Sequence, residues 1–573
     1  MRVLQGRWIV ARAAIVMVAA GVVSVMGSNF GVRAEPAASC IAVSGTDWST
    51  ADWSCGHVPT TADTVTIPAG ITLSISGAAE AGALTLTTSG TRLSLASNAT
   101  LSIAGILTVT PGAPYASLVT GSGWLRFVGE SRELFNANWE AATVGWHMEF
   151  ALDEGAVGTT SRGIKGGELR FTSGTVATTS DIRPDDGLDN TGLLTIAAGA
   201  ALSTTGNIER TGTAGAQAAS ITVDGTLVTS GSRISANTIA VGDGGTLRVK
   251  RTGGLTVAGA LSYDPGATLA YAGSSAQTTS GELNDSVGGL AVENAAGVAL
   301  SKPVTVTGDL ALTAGTLAAG THTVTLDSGA TCSGSGDVTG AVRRDTLALD
   351  TSYCFGNPDV QLTFTSGTLP TAATVTLAKG AAPFAGAVQR GYAITAPGFA
   401  GTATVQLHYL AGELNGNDSA NLRLWRNAGD RWEVVGRSSG DSSAVSVTGV
   451  TAFSDWAISE HGTTTAATVL DFSARRVPAG VEVAWTTSTE MLNAGFRLYR
   501  AQELYGPAIA LHPELLPAQG DGFGHDYVYV DAIGDFRAPI YYWLEDVDLA
   551  GMATRHGPAL VHDERTYLPY VAQ

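Results

Sequence analysis

The chain has 573 residues, of which 44% are hydrophobic and 14% charged, and its formal net charge is −18. This length predicts three or four domains, and the hydrophobic content excludes wholesale disorder. The negative charge argues against nucleic acid or an anionic membrane as a partner, because both require a basic face. Few charges combined with 72 glycines and abundant threonine favour a β-rich secreted protein.

The N-terminus has the pattern of an export signal, which we predict for residues 1–34. Arginines precede an apolar stretch at 13–26, and small residues at Val32 and Ala34 predict cleavage before Glu35. An uncleaved anchor is the alternative, although the stretch is short for spanning a bilayer. The mature chain is therefore predicted to be secreted or attached to the cell surface, with no integral membrane span.

The four cysteines form two pairs that are local in sequence: Cys40 with Cys55, and Cys332 with Cys354. Four cysteines allow three disulfide connectivities, and in an oxidising compartment local pairing is favoured. A zinc site is the competing interpretation, but no CxxC or His-rich spacing accompanies the cysteines. We therefore expect two structural disulfides.

The segment after the leader carries Trp48 and Trp53, followed by Gly56 and Pro59 and then by Asp63. This W…W…G-x-x-P…D-x-V-x-I-x-x-G arrangement resembles the opening of bacterial extracellular repeat-rich, β-helix-like proteins. The resemblance implies an N-terminal cap, in which aromatic rings cover the apolar end of a solenoid. Stacking of Trp48 and Trp53 on a glycan is the alternative.

Residues 35–340 contain short alternations of apolar and polar residues between Gly-rich corners, for example at 101–103 and 247–249. Alternation with period two predicts half-buried strands, and their succession predicts a parallel β-helix-like solenoid. No strict repeat period is present, so the solenoid is expected to be irregular. The aromatic- and Glu-rich segment 124–154 interrupts the pattern and predicts an inserted loop or a packed coil flank, with a ligand groove as the alternative.

An acidic run within the solenoid is a candidate cofactor site. Oxygen ligands of this kind hold calcium, but the run lacks the ordered spacing of a calcium loop, and a solvated turn explains it as well. No other cofactor is predicted. The candidate calcium ligands are Asp181, Asp185, Asp186 and Asp189.

Longer, more aromatic strands begin near residue 341 and predict an antiparallel β-sandwich over 341–460. Its most polar loop, 413–418, contains Asn-Gly and reads as a tight turn, with calcium binding as the alternative. A polar linker at 461–467 follows. A C-terminal tail at 564–573 ends the chain and is a candidate sorting or attachment signal.

The last module, 468–563, carries an early Trp485, the strand A-G-F-R-L-Y-R at 494–500 and the strand Y-Y-W-L at 541–544. These residues resemble the core pattern of bacterial fibronectin type III-like modules. The resemblance implies a β-sandwich that serves as a spacer or adhesion unit and has no catalytic residues. The acidic residues of the module are accordingly predicted to be surface or turn carboxylates: Glu490, Asp531, Glu545, Asp546 and Asp548.

The sequence contains no zinc-protease motif, P-loop or dinucleotide fingerprint. We therefore predict an all-β, exported surface or matrix protein that acts by adhesion or structure, without catalysis. Its partners would be extracellular glycans, cell-surface proteins or copies of itself. The alternative is a secreted polysaccharide lyase or glycoside hydrolase on the β-helix face, for which Asp181, Arg183, Asp185 and Asp186 are the only suitable cluster.

Overall fold

The computed structural model describes residues 37–562 with internal gaps. The predicted signal peptide, most of the linker and the C-terminal tail lie outside the described residues. So do Asp185, Asp186 and Asp189. The gaps are 88–89, 110–117, 137–144, 185–191, 210–219, 385, 430–431, 461–466, 491–492, 520–523, 535, 537 and 549–552.

Apart from one short 3-10 helix, the regular secondary structure of the described residues is β-strand, as predicted. The first 35 strands, numbered in chain order from β1, are Ser39–Ser44, Asp52–Trp53, Thr64–Ile67, Thr72–Ile75, Ala78–Ala81, Leu84–Leu86, Arg92–Leu95, Thr100–Ile103, Leu107–Val109, Val119–Gly121, Trp124–Gly129, Arg132–Glu133, His147–Leu152, Val157–Thr160, Ile164–Gly166, Glu168–Ser173, Thr175–Thr178, Ile182–Pro184, Leu193–Ile196, Ala201–Thr204, Ser220–Val223, Thr226–Thr229, Arg233–Val241, Thr246–Val249, Thr256–Tyr263, Thr268–Tyr271, Gln277–Thr278, Ser286–Val287, Gly289–Glu293, Val298–Ala299, Val304–Val306, Asp309–Ala314, Leu317–Leu326, Thr331–Gly334 and Val338–Arg344.

Eighteen further strands and a short 3-10 helix at Ala411–Glu413 complete the described chain. Strands β36 to β53 are Ser352–Cys354, Gln361–Thr368, Ala373–Lys379, Arg390–Thr395, Ala400–His408, Arg423–Asn427, Trp432–Gly436, Ser439–Gly440, Ala444–Val450, Asp455–Ser459, Thr468–Val477, Gly480–Thr489, Asn493–Ala501, Ile509–Ala510, Leu516–Pro517, Asp526–Asp531, Ile540–Asp548 and Ala553–Val561.

Strands β3 to β35 wind into a parallel β-solenoid of about 12 turns, which confirms the predicted fold class. Successive turns stack strand on strand, and two of the resulting sheets, parallel throughout, have nine and ten strands. Coil length varies, since many more residues separate the register partners Leu194 and Ile221 than separate the next partners, Ile221 and Ile239. This variation explains why the sequence has no fixed period.

The solenoid interior is formed by the apolar residues of the alternations. In β8, Leu101 and Ile103 are fully buried while Ser102 faces outward. The segment 124–154 contributes packed coils, since β11 and β13 are ordinary rungs of the nine-stranded sheet. Inside these rungs Phe127, Phe150 and Phe171 stack in register, with ring centroids 5.4 and 4.8 Å apart. Phe127 and Phe150 of this segment thus fill the core.

A column of buried threonines ties successive coils together at one corner of the solenoid. Thr160, Thr178, Thr204 and Thr229 occupy matching ends of β14, β17, β20 and β22. The Thr204 hydroxyl donates to the Ser180 carbonyl of the preceding coil at 3.0 Å and accepts from the Gly206 amide at 3.0 Å. Each hydroxyl of this kind satisfies corner groups that strand pairing leaves open.

The N-terminal end of the solenoid is covered by a small cap. Strand β2 pairs antiparallel with β1, and β1 pairs parallel with β3. Buried Asp63 accepts hydrogen bonds from the amides of Ala38 and Thr60, both 2.9 Å long, and from the Thr60 hydroxyl at 2.8 Å, and it also contacts the His57 ring. Burial by itself would raise the pKa of Asp63, but these hydrogen bonds hold that pKa well below its usual range. Asp63 therefore joins the cap to the first full coil.

The C-terminal end of the solenoid continues directly into an antiparallel region. Strand β35 pairs in parallel with β33 on one edge and antiparallel with β38 on the other, so one 11-stranded sheet crosses the transition. A five-stranded antiparallel sheet, β36-β37-β40-β44-β43, belongs to the same region. A single hydrophobic core runs from Cys40 to Ile458. The solenoid and the antiparallel region are thus joined both by backbone pairing and by a common hydrophobic core.

A buried ionic cluster lies at this transition. The Asp337 carboxylate binds the Arg390 guanidinium at 2.9 Å and the Lys379 ammonium at 2.8 Å, and Arg390 also binds Glu413 at 2.8 Å. Asp337 and Arg390 are 2% and 0% exposed in their side chains. Burial would raise the pKa of Asp337, but Arg390 and Lys379 outweigh it and lower the pKa.

The loop after Glu413 is a tight turn. Asn415 and Gly416 have φ angles of 50° and 87°, a left-handed conformation that asparagine and glycine tolerate best. The Asn415 amide donates to the Ala387 carbonyl at 2.9 Å, and the Glu413 carboxylate is engaged by Arg390. These side chains therefore serve the turn and the ionic cluster.

The C-terminal module has its own hydrophobic core, built around Trp485, Phe496 and Tyr542. One sheet has the order β46-β47-β51 and the other the order β49-β48-β52-β53, all antiparallel. These antiparallel sheets are consistent with the predicted sandwich.

The prediction that this module's carboxylates lie on the surface or in turns is wrong for Asp531 and Asp546, which are buried in strands β51 and β52, whereas Glu490 lies in the turn after β47 but is buried there. Glu490 and Asp546 are completely buried and Asp531 is 8% exposed. Glu490 accepts from the Tyr527 hydroxyl at 2.6 Å, and Asp531 pairs with Arg500 at 2.7 Å. Asp546 accepts from the Ala467 amide and also contacts His556. Partners from distant strands compensate for the burial of each carboxylate.

Candidate functional site

The predicted cysteine and tryptophan sites both lie in structural surroundings. Disulfides join Cys40 to Cys55 and Cys332 to Cys354, which confirms local pairing and fits an extracellular environment. Trp48 and Trp53 pack on each other with ring centroids 4.9 Å apart, and only 2% and 7% of these residues is exposed. Their burial supports the cap interpretation and leaves little ring surface for a sugar.

Among the candidate calcium ligands, Asp181 alone lies within the described residues. Its carboxylate accepts a hydrogen bond from the Asn207 amide of the next coil at 2.8 Å and pairs with Arg183 at 3.2 Å. The Asn207 side chain repeats the contact one coil later, accepting from the Ser232 amide at 3.0 Å. Asp181 therefore connects adjacent coils at a solenoid corner.

A basic residue that the sequence did not single out lies beside Arg183. Lys165 and Arg183 are opposite each other in the short parallel ladder of β15 and β18. Lys165 is 6% exposed, and the Arg183 side chain is 18% exposed. Lys165 lies opposite Arg183, which pairs with Asp181, so this corner holds basic and acidic side chains of the kind that the enzyme hypothesis requires.

The outward face of the nine-stranded sheet carries a cluster of aromatic and charged side chains on β11, β13 and β16. The Arg170 guanidinium lies over the Trp124 ring, 4.2 Å from its centroid, and the His147 ring is 4.8 Å from the same tryptophan. Strand alternation sends these side chains outward while Leu125, Met148 and Leu169 face the core. We call this group the Trp124 cluster: Trp124, Arg126, His147, Glu149, Glu168 and Arg170.

Charges in the Trp124 cluster alternate across the strands. Arg126, Glu149 and Arg170 are direct register neighbours on three successive coils. Glu149 pairs with Arg126 at 3.4 Å, and Glu168 pairs with Arg170 at 2.6 Å. The two arginine side chains remain 43% and 46% exposed, so the cluster presents guanidinium groups and a half-buried indole to solvent.

This arrangement suits binding better than acid–base catalysis. Glycoside hydrolysis requires one carboxylic acid that stays protonated beside a second carboxylate. Both carboxylates of the Trp124 cluster are instead paired with an arginine. Tryptophan and arginine, in contrast, are the residues that contribute most to binding surfaces.

Sequence reasoning identified the aromatic segment but could not choose its outward members. Trp124 and Arg170 are distant in sequence. They meet because their strands, β11 and β16, are stacked in one sheet with only β13 between them. No protein-family model matches the chain, and no curated protein sequence does either. Within the described residues, no helix has the length and apolar character needed to cross a membrane.

Proposed function

We propose that this chain is a bacterial exported protein of the cell surface or extracellular matrix, with a non-catalytic adhesive or structural role. The observation that carries the proposal is the Trp124 cluster, an aromatic and guanidinium surface whose carboxylates are paired with arginines. A long solenoid displays such a surface rigidly, because its coils share one core with the region up to residue 460.

The remaining features support the same proposal. Two disulfides suit an oxidising compartment. In the C-terminal module, a three-stranded sheet of its first, second and a later strand faces a second antiparallel sheet, an arrangement that agrees with a fibronectin type III-like spacer. Neighbouring cells, extracellular glycans or other copies of the chain would be held by several weak contacts.

A retention assay tests this function directly. Labelled full-length mature protein is incubated with a panel of cells and insoluble polysaccharides, and released reducing or unsaturated sugar ends are measured in the same samples. We expect retention without release, weakened at least several-fold in Arg170→Gln. The matched control is Thr222→Ala, an outward position on the same sheet. Absence of retention on every surface would contradict the proposal.

The carbohydrate-enzyme alternative keeps one specific observation in its favour, the buried Lys165 opposite Arg183, which itself pairs with Asp181. It predicts sugar-end release that disappears in Lys165→Met and, if calcium takes part, in EDTA. Such release would replace the adhesive function with a catalytic one, whereas unchanged release in Lys165→Met would exclude this corner as its site.

A further inference from the structure

The five-stranded sheet of the C-terminal module, formed by β48, β49, β50, β52 and β53, has an outward face rich in aromatic residues. Burial alternates along β52: Tyr542 and Leu544 are buried in the module core, while Tyr541 and Trp543 are half-buried and face outward. On the neighbouring strand, Tyr499 is the direct register partner of Trp543. The rings of Tyr541 and Trp543 follow each other along the strand, with centroids 6.2 Å apart.

An exposed arginine completes this face. The Arg555 guanidinium lies 4.9 Å from the Trp543 ring centroid and 5.2 Å from that of Tyr499. No carboxylate of the described residues pairs with Arg555, since its register neighbour Glu545 instead accepts a hydrogen bond from the Tyr499 hydroxyl at 2.9 Å. Ring contacts therefore hold the cation in place and leave its hydrogen-bond donors directed to solvent or a ligand.

Two neighbouring features extend the binding surface. Arg497, the register partner of Glu545, is exposed on the same face and also has no carboxylate partner among the described residues. At the other end, Leu560 pairs with Tyr541 and is 40% exposed. The face thus combines a row of rings with two guanidinium groups that have no carboxylate partner among the described residues, in a chain whose formal charge is −18.

We propose that this face, defined by Tyr499, Tyr541, Trp543 and Arg555, binds an acidic polysaccharide through its uronate residues. The apolar side of a sugar ring packs on an aromatic ring, and a guanidinium group binds a carboxylate with paired hydrogen bonds. Because the rings of Trp543 and Tyr541 follow each other along one strand, an extended polymer can place successive sugars on both. This inference rests on the proposed extracellular role and names a ligand class for it.

Binding is measured by calorimetry with the full-length mature protein and three polymers in EDTA: polygalacturonate, neutral dextran and polyglutamate. We expect polygalacturonate alone to bind, with an affinity that falls as salt is added. Arg555→Gln is expected to weaken it about tenfold or more, the usual effect of losing a charge-assisted hydrogen bond. Arg475→Gln is the matched control, because Arg475 is an exposed arginine of the same module that lies on its other sheet and pairs with Glu482.

Trp543→Ala provides a second variant, with its fold checked by the thermal transition of the module, while Arg555→Gln removes no buried contact. Equal binding of polyglutamate would replace the glycan with an acidic polypeptide. Absence of binding, or full affinity in Arg555→Gln, would overturn the inference. Retention on cells that is lost in Arg170→Gln but kept in Arg555→Gln would leave the proposed function standing while this site failed.

Discussion

Removal of Asp337 is expected to destabilise the solenoid and the following antiparallel region as one unit. In Asp337→Ala, Arg390 stays buried and keeps Glu413 but loses its contacts of 2.9 and 3.2 Å to Asp337, while Lys379 loses a contact of 2.8 Å. Breaking a buried ion pair by removing one partner costs about 3–5 kcal/mol. The unfolding free energy of the shared core should fall by that amount.

Urea unfolding combined with hydrogen exchange measures this effect region by region. Exchange should accelerate in strands β33, β35, β38 and β39 together, because they belong to one sheet. The C-terminal module should be unchanged, since its core is separate. The matched control is Asp345→Ala, which removes an exposed pair with Arg343 and should cost at most about 1 kcal/mol.

The pH dependence follows from the lowered pKa of Asp337. A carboxylate whose pKa is lower in the folded state stabilises the fold fully above its unfolded pKa of about 4, and this contribution is lost as pH falls below that value. The difference between wild type and Asp337→Ala should therefore be constant from neutral pH to about pH 5 and shrink below pH 4. A loss of unfolding free energy under 1 kcal/mol at pH 7 would contradict the role of the buried ion pair. Faster hydrogen exchange confined to one side of β35 would contradict the shared core.

Three further predictions concern the solenoid and its cap. Replacing both Cys332 and Cys354 by serine opens a 22-residue loop and should cost about 3 kcal/mol in urea unfolding; no loss would show that the bridge does not constrain the unfolded chain. Asp63→Asn should lower cap stability at pH 7, with the deficit disappearing as pH falls below 4; a deficit independent of pH would contradict the lowered pKa. Thr204→Val should cost about 1–3 kcal/mol through unsatisfied corner groups, against little for the outward control Ser203→Ala; equal losses would refute a role for the buried column.

Much of the fold is predictable from local sequence. Alternation such as that of Leu101, Ser102 and Ile103 predicts strands because burial and period two coincide. Local cysteine spacing correctly predicts both disulfides, and Asn-Gly at 415–416 predicts a tight turn because these residues tolerate left-handed backbone. Each of these features depends on residues that are close in the chain.

The candidate sites depend on which residues distant parts of the chain bring together. Arg170 lies over Trp124 because the two occupy stacked coils, and Arg555 lies over Trp543 because a hairpin pairs their strands. The burial of Glu490 has the same origin, since its partner Tyr527 comes from another strand. Strand periodicity and the two local disulfides follow from the sequence alone. Which aromatic and charged side chains meet at the surface depends on the register between strands that are distant in the chain. Register depends on the packing of whole coils and sheets, which no local pattern records.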